Sequence, residues 1–260
     1  GKKLLAAMFI LLEGTVNAQG RQPIIRITGT KFPFGIMQKW IDVYTQLHPG
    51  IAVALSKDIS TDSAELLIAA HSFRSNELPP GKQYIAVARY AQLPIVNSSY
   101  PDLAALQQKG FTPADLKRTF FTATTNNAAS FNVYRRDKNV CASRSFSEKV
   151  TGRQQDITGT MVNGDDRALS AAVKGDIHGI SYNNLGLVYD LKTRKVADSI
   201  AIIPIDLDEN GHIDGGENFY GTLDDILKFL REDGSELIPQ DDVNIVFNTA
   251  TVSKEALGFL

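Results

Sequence analysis

Short β-like runs alternate with helical stretches along most of this chain. The first run covers 24–27, and beyond a turn at 28–31 apolar side chains recur at helical spacing from Ile36 to Tyr44. A chain that alternates in this way builds a sheet with helices packed on it, so the pattern predicts an α/β fold. Further strands are predicted at 51–55, 65–70, 84–88, 93–96, 131–134, 179–182, 200–205 and 243–247, and further helices from 113, at 143–150, at 165–174 and at 223–230.

The turn at 28–31 joins the first strand to the first helix and is a candidate anion site. The first N–H groups of a helix lack partners within the helix, and the helix dipole makes that end positive. Thr30 would add a hydroxyl group there, and Lys31 would add a positive charge. The alternative is an ordinary turn of an α/β domain with an exposed lysine, and the sequence leaves both interpretations open.

Composition places the chain among ordinary globular proteins. It has 260 residues, of which 43% are hydrophobic and 22% charged, which suits one large domain or two smaller lobes. The formal net charge of -2 implies no general attraction to nucleic acid, so no nucleic-acid partner is expected. Cys141 is the only cysteine, which rules out an intramolecular disulfide.

Residues 1–18 have the pattern of a secretory signal peptide. Lys2 and Lys3 precede an apolar run at 4–12, and small residues at 16–18 stand where a signal peptidase would cut. The apolar run is shorter than the about 20 residues that a membrane-spanning helix needs. We therefore expect removal of 1–18, no membrane insertion, and a soluble protein of a bacterial periplasm.

The segment 206–217 reproduces the spacing of a calcium-binding EF-hand loop. Oxygen ligands recur at alternate positions, Gly211 permits the sharp turn, and Ile213 is expected to point into the protein. A Ca²⁺ ion prefers 6–8 oxygen ligands, and the last residue of such a loop supplies two of them. The predicted metal ligands are Asp206, Asp208, Asn210, the His212 carbonyl group, Asp214 and Glu217.

A structural calcium ion is the interpretation that this loop favours. The run before it, 200–205, contains Pro204 and is typical of a strand rather than a helix, and the sequence has no second loop with which it could pair. The expected ion therefore holds the chain between Ile205 and Asn218 and does not act as a calcium switch. The alternative is an acidic Asn-Gly turn that binds no metal.

Five segments, in order, resemble sequences of one protein family. Each match is loose, but together they follow the order found in the type II periplasmic substrate-binding proteins of ABC transporters over nearly all of 21–260. The resemblance is to the phosphate-binding members, in a short form like those of Bacteroidetes. The segments are GTKFPFGIMQKWIDVYTQLHPGIAV, FTPADLKRTFF, RRDKNVCASRSF, GDIHGISYNNLG and FNTATVSKEALGFL.

The resemblance implies a two-lobed α/β fold of the periplasmic-binding-protein type, with two crossover strands between the lobes. Lobe one would comprise 21–93 and 195–260 and would carry the calcium-type loop. Lobe two would comprise 94–194. An anion would bind in the cleft between the lobes, which would close on it by a hinge motion.

The resemblance also implies which side chains surround the anion. Helix N-termini, hydroxyl groups and cationic side chains from both lobes would contribute, the arginines as a clamp. Solvated basic side chains are the alternative for each cation. The expected contacts are Thr30, Lys31, Phe32 and Ser72 from lobe one, and Arg135 or Arg136, Ser143 and Arg144 from lobe two.

Two departures from the family leave the identity of the anion open. The family's Ser-Gly-Thr is replaced here by Cys141, Ala142 and Ser143, which removes one hydroxyl group. The family's Asp, which accepts a proton from the ligand, falls near His71 or Ser72. Phosphate, another oxyanion and an organic anion are all candidates.

The expected function is capture of a small anion, phosphate or a related oxyanion, by a monomeric protein that serves an ABC permease. This function makes and breaks no bond, so the chain is not expected to be an enzyme. A catalytic His or Cys in the cleft would favour an enzyme, but Cys141 beside His178 lacks a Gly-bracketed elbow and is interpreted as a turn residue. The other alternative is a secreted interaction or sensor module, stabilised by calcium, with a vestigial cleft.

Overall fold

The computed structural model describes residues 22–122, 131–150, 153–232, 236 and 238–260, so the expected signal peptide lies outside the described residues. Each strand and helix that the pattern predicts has a counterpart, and none of the described helices has the length and apolar character needed to cross a bilayer. The strands are β1 (Ile24–Gly29), β2 (Ala52–Leu55), β3 (Leu66–Ala69), β4 (Lys82–Asn97), β5 (Asn132–Arg135), β6 (Thr160–Met161), β7 (Gly179–Asn184), β8 (Ile200–Ile202) and β9 (Gln240–Asn248). The helices are α1 (Phe34–Leu47), α2 (Leu103–Lys109), α3 (Pro113–Phe121), α4 (Cys141–Val150), α5 (Asp166–Lys174), α6 (Leu185–Val188), α7 (Leu223–Glu232) and α8 (Lys254–Phe259).

The strands are hydrogen-bonded in the order β2-β1-β3-β9-β4-β7-β5-β6, and β8 pairs with β4 outside this series. On one side, β1 is parallel to β2 and β3, and β9 is antiparallel to both β3 and β4. On the other side, β7 and β8 are antiparallel to β4, while β5 is parallel to β7 and β6. The sheet therefore has two halves that share β4.

β4 is the strand that joins the two halves. Its 16 residues pair with β9 along the first part of the strand and with β7 and β8 along the second part. The apolar pattern predicts two strands here, 84–88 and 93–96, because polar residues interrupt it. The structure has one strand instead, since Arg89 and Tyr90 stay extended and pair with residues of β9.

Two hydrophobic cores lie along this shared strand. The smaller core packs β1, β3 and β9 against α1 and α8, and the larger core is rich in aromatic side chains such as Phe146 and Tyr182. The chain passes between the cores twice, once along β4 and once between Ile238, in the larger core, and Val243, in the smaller one. The result is a two-lobed α/β arrangement with two crossover segments, as the resemblance implies.

The chain returns to the first lobe later than the resemblance implies. Residues 195–238 were expected in lobe one, but the buried side chains of 200–205 and 219–238 belong to the larger core. The cause is the pairing of β8 with the second part of β4, together with a hydrogen bond of 2.8 Å from the N–H of Phe111 to the carbonyl group of Pro204. The calcium-type loop therefore packs on lobe two.

Candidate functional site

The turn before α1 meets the N-terminus of α4 across the two lobes. Gly29 ends β1 with a φ of 125°, and a Cβ atom there would lie 2.2 Å from the carbonyl oxygen of Ile68 in β3, so only glycine fits. The hydroxyl oxygen of Thr30, the next residue, is 3.6 Å from the sulfur of Cys141, the first residue of α4. Helices α1 and α4 thus begin on either side of one contact between the lobes.

Neither of these two helices starts with a side chain that can accept a hydrogen bond. Pro33 occupies the N-cap position of α1, and Val140 precedes α4. By contrast, Thr112 and Asp165 accept hydrogen bonds from the first turns of α3 and α5. The positive ends of α1 and α4 therefore lack a side-chain cap, and an oxyanion is a natural substitute acceptor.

The thiol of Cys141 also lies beside His71, which follows β3 in the other lobe. The Nδ1 atom of His71 is 3.4 Å from the sulfur. Burial alone would raise the pKa of the thiol, but hydrogen bonds from His71 and Thr30 and the charge of His71 outweigh it, so the pKa is lowered from its usual value. The cleft therefore contains a cysteine with increased thiolate character.

The sequence alone offers His178 as the partner of this cysteine, and the structure places His178 elsewhere. Its ring lies 6.0 Å from the ring of Tyr100, which is part of the larger core. His71 and Cys141 are separated by 70 residues and lie on different lobes, so no local pattern could reveal their contact.

A carboxylate reaches the cleft from β9. One oxygen of Asp241 accepts hydrogen bonds from the backbone N–H and the hydroxyl group of Ser72, at 2.7 and 2.6 Å, and the other accepts one from the hydroxyl group of Ser145, at 2.8 Å. The phenol oxygen of Tyr90 in β4 lies 2.6 Å from the Ser145 hydroxyl and 2.9 Å from the carbonyl oxygen of Ala70. Burial raises the pKa of Tyr90 well above its usual value, so this phenol stays neutral. The network ties β3, both crossover strands and α4 together.

Tyr90, Ser145 and Asp241 are cleft residues that sequence reasoning did not single out. Tyr90 falls in the polar interruption of β4, and Ser145 lies on the second turn of α4. The one available signal is the pair of acids at 241–242, directly before the apolar strand pattern at 243–247. The carboxyl group of Asp241 lies beside Ser72. The resemblance implies an acid near His71 or Ser72, and the local sequence has none at either position.

The residues expected from lobe one gather near this network. Thr30 contacts Cys141, and Ser72 contacts Asp241. The ring of Phe32 meets the ring of Tyr90 edge-on, with centroids 4.8 Å apart. Lys31 is exposed on the same turn.

Ser143 lies inside lobe two rather than at the surface of the cleft. It is fully buried, its hydroxyl group donates to the carbonyl oxygen of Asp137 at 2.7 Å, and it is 2.9 Å from the phenol oxygen of Tyr182. Burial raises the pKa of Tyr182 to about 12, which reflects the apolar surroundings of this pair. The side chain of Ser143 is therefore engaged by the protein in this conformation.

Arg144 joins the two lobes by ion pairs. Its guanidinium group lies 2.8 Å from Glu77, in the segment before β4, and 3.1 Å from Glu148, one turn further along α4. Hydrogen bonds from Arg144 and from the backbone N–H of Arg74 lower the pKa of Glu77, so this carboxylate stays charged to lower pH than an ordinary glutamate. A second pair, Arg74 with Glu148, crosses the same boundary.

The other two arginines are engaged within lobe two. Arg136 pairs with Asp166, and the guanidinium group of Arg135 donates to the carbonyl oxygen of Gly159 at 3.1 Å. The predicted guanidinium clamp is therefore not formed in this conformation. The acidic partners come from separate elements, which is why the clustering of basic residues in the sequence was a poor guide to their positions.

The acidic loop brings three of its predicted ligands together. Carboxylate oxygens of Asp206, Asp208 and Glu217 all lie within 4.8 Å of one another. Asp206 is fully buried; its Oδ2 atom accepts a hydrogen bond of 2.8 Å from the N–H of Gly211, whereas its Oδ1 atom has no hydrogen-bond partner among the described residues. Glu217 is 5% exposed, and its Oε1 atom accepts hydrogen bonds from the N–H groups of Leu207 and Asp208 at 2.5 and 3.2 Å.

The remaining predicted ligands hold the turn itself. The side-chain oxygens of Asn210 and Asp214 accept hydrogen bonds of 3.0 and 2.8 Å from the N–H groups of His212 and Gly216. The N–H of Ile213 donates to the carbonyl oxygen of Gln108 in α2 at 2.7 Å, so the loop is anchored to lobe two.

Comparison with known proteins finds similarity in structure but not in sequence. No protein-family model matches the chain, and no curated protein matches it. A phosphate ABC transporter substrate-binding protein from Clostridium perfringens, solved with bound phosphate, superposes with a TM-score of 0.64 at 15% identity, covering 91% of this chain and 90% of its own. An ABC-type phosphate transport receptor from Vibrio cholerae gives 0.63 at 17% identity, with coverages of 90% and 91%. The reduced regulatory domain of OxyR from Pseudomonas aeruginosa gives 0.54 at 9% identity, with coverages of 91% and 94%.

The chain has the two-lobed fold of periplasmic binding proteins. At these identities the likeness shows the fold alone, and it extends to a regulatory domain as well as to transport receptors. What the cleft of this binding-protein fold can do must therefore follow from its own residues. Those residues offer two uncapped helix ends, several hydroxyl groups, a carboxylate and a thiol beside an imidazole.

Proposed function

We propose that this chain is a solute-binding protein that captures a small anion between its lobes. The observation that carries the proposal is the contact between the Thr30 turn and Cys141, because it brings the starts of α1 and α4 to one place. Each helix presents N–H groups and the positive end of its dipole there. An anion held by both would draw the lobes together, which matches the closed arrangement of this structure, in which Thr30 contacts Cys141 between the lobes.

The proposed contacts come from both lobes. Thr30 supplies a hydroxyl group, Lys31 supplies charge, and the first turn of α4 supplies backbone N–H groups. Arg144 acts differently from the expectation: it stabilises the closed arrangement through Glu77 and does not touch the anion. Arg144 thus stabilises the contact between the lobes, because its partner Glu77 lies in lobe one.

Asp241 favours an anion that carries a proton. Its Oδ1 atom is engaged by Ser72, but its Oδ2 atom accepts a hydrogen bond from Ser145 and keeps a lone pair to which a ligand oxygen bearing hydrogen can donate, whereas a fully deprotonated oxyanion would be repelled. Phosphate is protonated at neutral pH and sulfate is not. We therefore propose phosphate, or an oxyanion of similar protonation, as the ligand.

The proposed setting is the periplasm, with an ABC permease as partner and a monomer as the working form. The phosphate-binding proteins of the same fold support this setting, since two of them are described as parts of ABC transport systems. The expected signal peptide at 1–18 would direct the chain there.

One observation supports the enzyme alternative: Cys141 lies beside His71 in the cleft. A nucleophilic cysteine beside a histidine base is a known arrangement for acyl transfer. Among the described residues, however, no carboxylate hydrogen-bonds to His71, and the similar phosphate-binding proteins are receptors. Turnover of an activated ester that disappears in Cys141→Ala would favour the enzyme over the binding protein.

Calorimetric titration with phosphate and with sulfate tests the proposal. We expect saturable phosphate binding, weaker sulfate binding, and a loss of about tenfold or more in phosphate affinity for Thr30→Val, because a hydrogen bond to a charged group is removed. Thr45→Val is the matched control, since its hydroxyl group bonds only within α1. The proposed site would be overturned if the protein did not bind phosphate, or if Thr30→Val and Thr45→Val bound phosphate with equal affinity.

A further inference from the structure

We propose that the loop 206–217 binds one Ca²⁺ ion that stabilises lobe two. The decisive observation is the Oδ1 atom of Asp206, a fully buried carboxylate oxygen without a hydrogen-bond partner among the described residues. A buried charged oxygen without a partner is strongly unfavourable, so the site needs a cation or a proton at this atom.

The neighbouring groups indicate a cation. Carboxylate oxygens of Asp208 and Glu217 lie within 4.8 Å of those of Asp206, and Glu217 is itself only 5% exposed. Three carboxylates so close together repel one another in a partly buried site, and a divalent cation reverses the sign of each interaction.

The chemistry of the ligands selects calcium among common cations. The converging groups are all carboxylates, which suit Ca²⁺ or Mg²⁺ rather than softer metals. The EF-hand spacing offers Asn210, the His212 carbonyl group and Asp214 as further oxygen ligands, of which the side-chain oxygens of Asn210 and Asp214 accept N–H groups of the loop in this structure and would turn to a bound ion. Six or more oxygens in a flexible loop satisfy Ca²⁺, whereas Mg²⁺ requires a tighter octahedral shell.

The position of the loop gives the ion a structural role. The N–H of Asp206 donates to the carbonyl oxygen of Phe111, and the N–H of Ile213 donates to that of Gln108, so the loop is fastened to the turn between α2 and α3. None of these residues takes part in the Thr30–Cys141 contact between the lobes. The ion would hold part of lobe two in place whether or not an anion occupies the cleft.

Calorimetry on the EDTA-stripped and dialysed protein tests the inference, with CaCl₂ as titrant. We expect one site per chain with a Kd on the order of 10⁻⁴ M, and a rise in Tm of about 5 °C or more at a hundredfold excess of calcium over Kd. MgCl₂ should raise the Tm much less. The absence of calcium uptake by the stripped protein would overturn the site.

The matched variants are Glu217→Gln and Glu209→Gln. Each of them removes one negative charge from the same loop. Glu209 is exposed and stands at a position that the spacing leaves without a ligand role. Glu217→Gln should lose most calcium affinity and the Tm response, while Glu209→Gln should keep both. If Glu217→Gln fails to fold, the exposed Asp208→Asn should show the same loss. If Glu209→Gln lost as much calcium affinity as the ligand variants, calcium would be attracted by the overall negative charge of the loop rather than bound at a site.

Discussion

At the scale of single residues, the unexpected feature is the environment of Cys141. The sequence showed one cysteine and four histidines, and none of the histidines is near it in the chain. The fold places His71 and Thr30 against the sulfur from the opposite lobe. Contacts between lobes depend on how two separately patterned units pack, so they leave no periodic signal in the sequence.

This environment makes the reactivity of Cys141 depend on pH in a specific way. Because its pKa is lowered, the thiolate should persist at pH values below the usual thiol range, and iodoacetamide should react faster there than with an ordinary cysteine. His71→Gln should move the midpoint of the rate profile to higher pH. The urea-unfolded chain, which has the same single thiol, is the reference. Coincident profiles for folded and unfolded protein would contradict the role of His71.

At the scale of elements, the apolar pattern predicted the type of the longer strands and helices, but it missed the short elements β6, α2, α6 and α8 and could not predict which elements pair. It predicted β1, α1 and the strand–turn–helix geometry of the first turn, because these depend on local periodicity. It divided β4 in two, since a strand that serves both lobes must carry polar residues where it crosses the cleft. The pattern also could not predict the ion pairs of Arg144 and Arg136, because their partners Glu77 and Asp166 lie far away in the sequence.

The first turn yields a test at this scale. Gly29→Ala places a Cβ atom 2.2 Å from the carbonyl oxygen of Ile68 at a φ of 125°, so we expect the free energy of unfolding to fall by more than about 2 kcal/mol. Gly35→Ala, in the first turn of α1 with open space around it, should be neutral or stabilising by up to about 1 kcal/mol. Urea denaturation measures both. A Gly29→Ala protein as stable as Gly35→Ala would contradict the close packing of this turn on β3.

At the scale of the whole molecule, several contacts hold the lobes in one closed arrangement. The ion pair of Arg144 with Glu77, the Asp241 network and the Thr30–Cys141 contact all join lobe two to lobe one or to a crossover strand. In a hinged protein, a ligand shifts the balance only by binding one arrangement better than the other. In the proposed mechanism the uncapped starts of α1 and α4 provide that difference, because an anion would contact both only when the lobes are closed.

The rate of alkylation of Cys141 as a function of phosphate concentration tests this central claim most directly. An anion held between the starts of α1 and α4 would cover the thiol and, through its negative charge, raise the thiol pKa, so both effects slow the reaction. We predict a saturable decrease in rate whose midpoint equals the calorimetric Kd for phosphate, and little decrease with Thr30→Val at the same concentrations. A rate that stays constant while calorimetry shows phosphate bound would place the anion elsewhere and contradict the account.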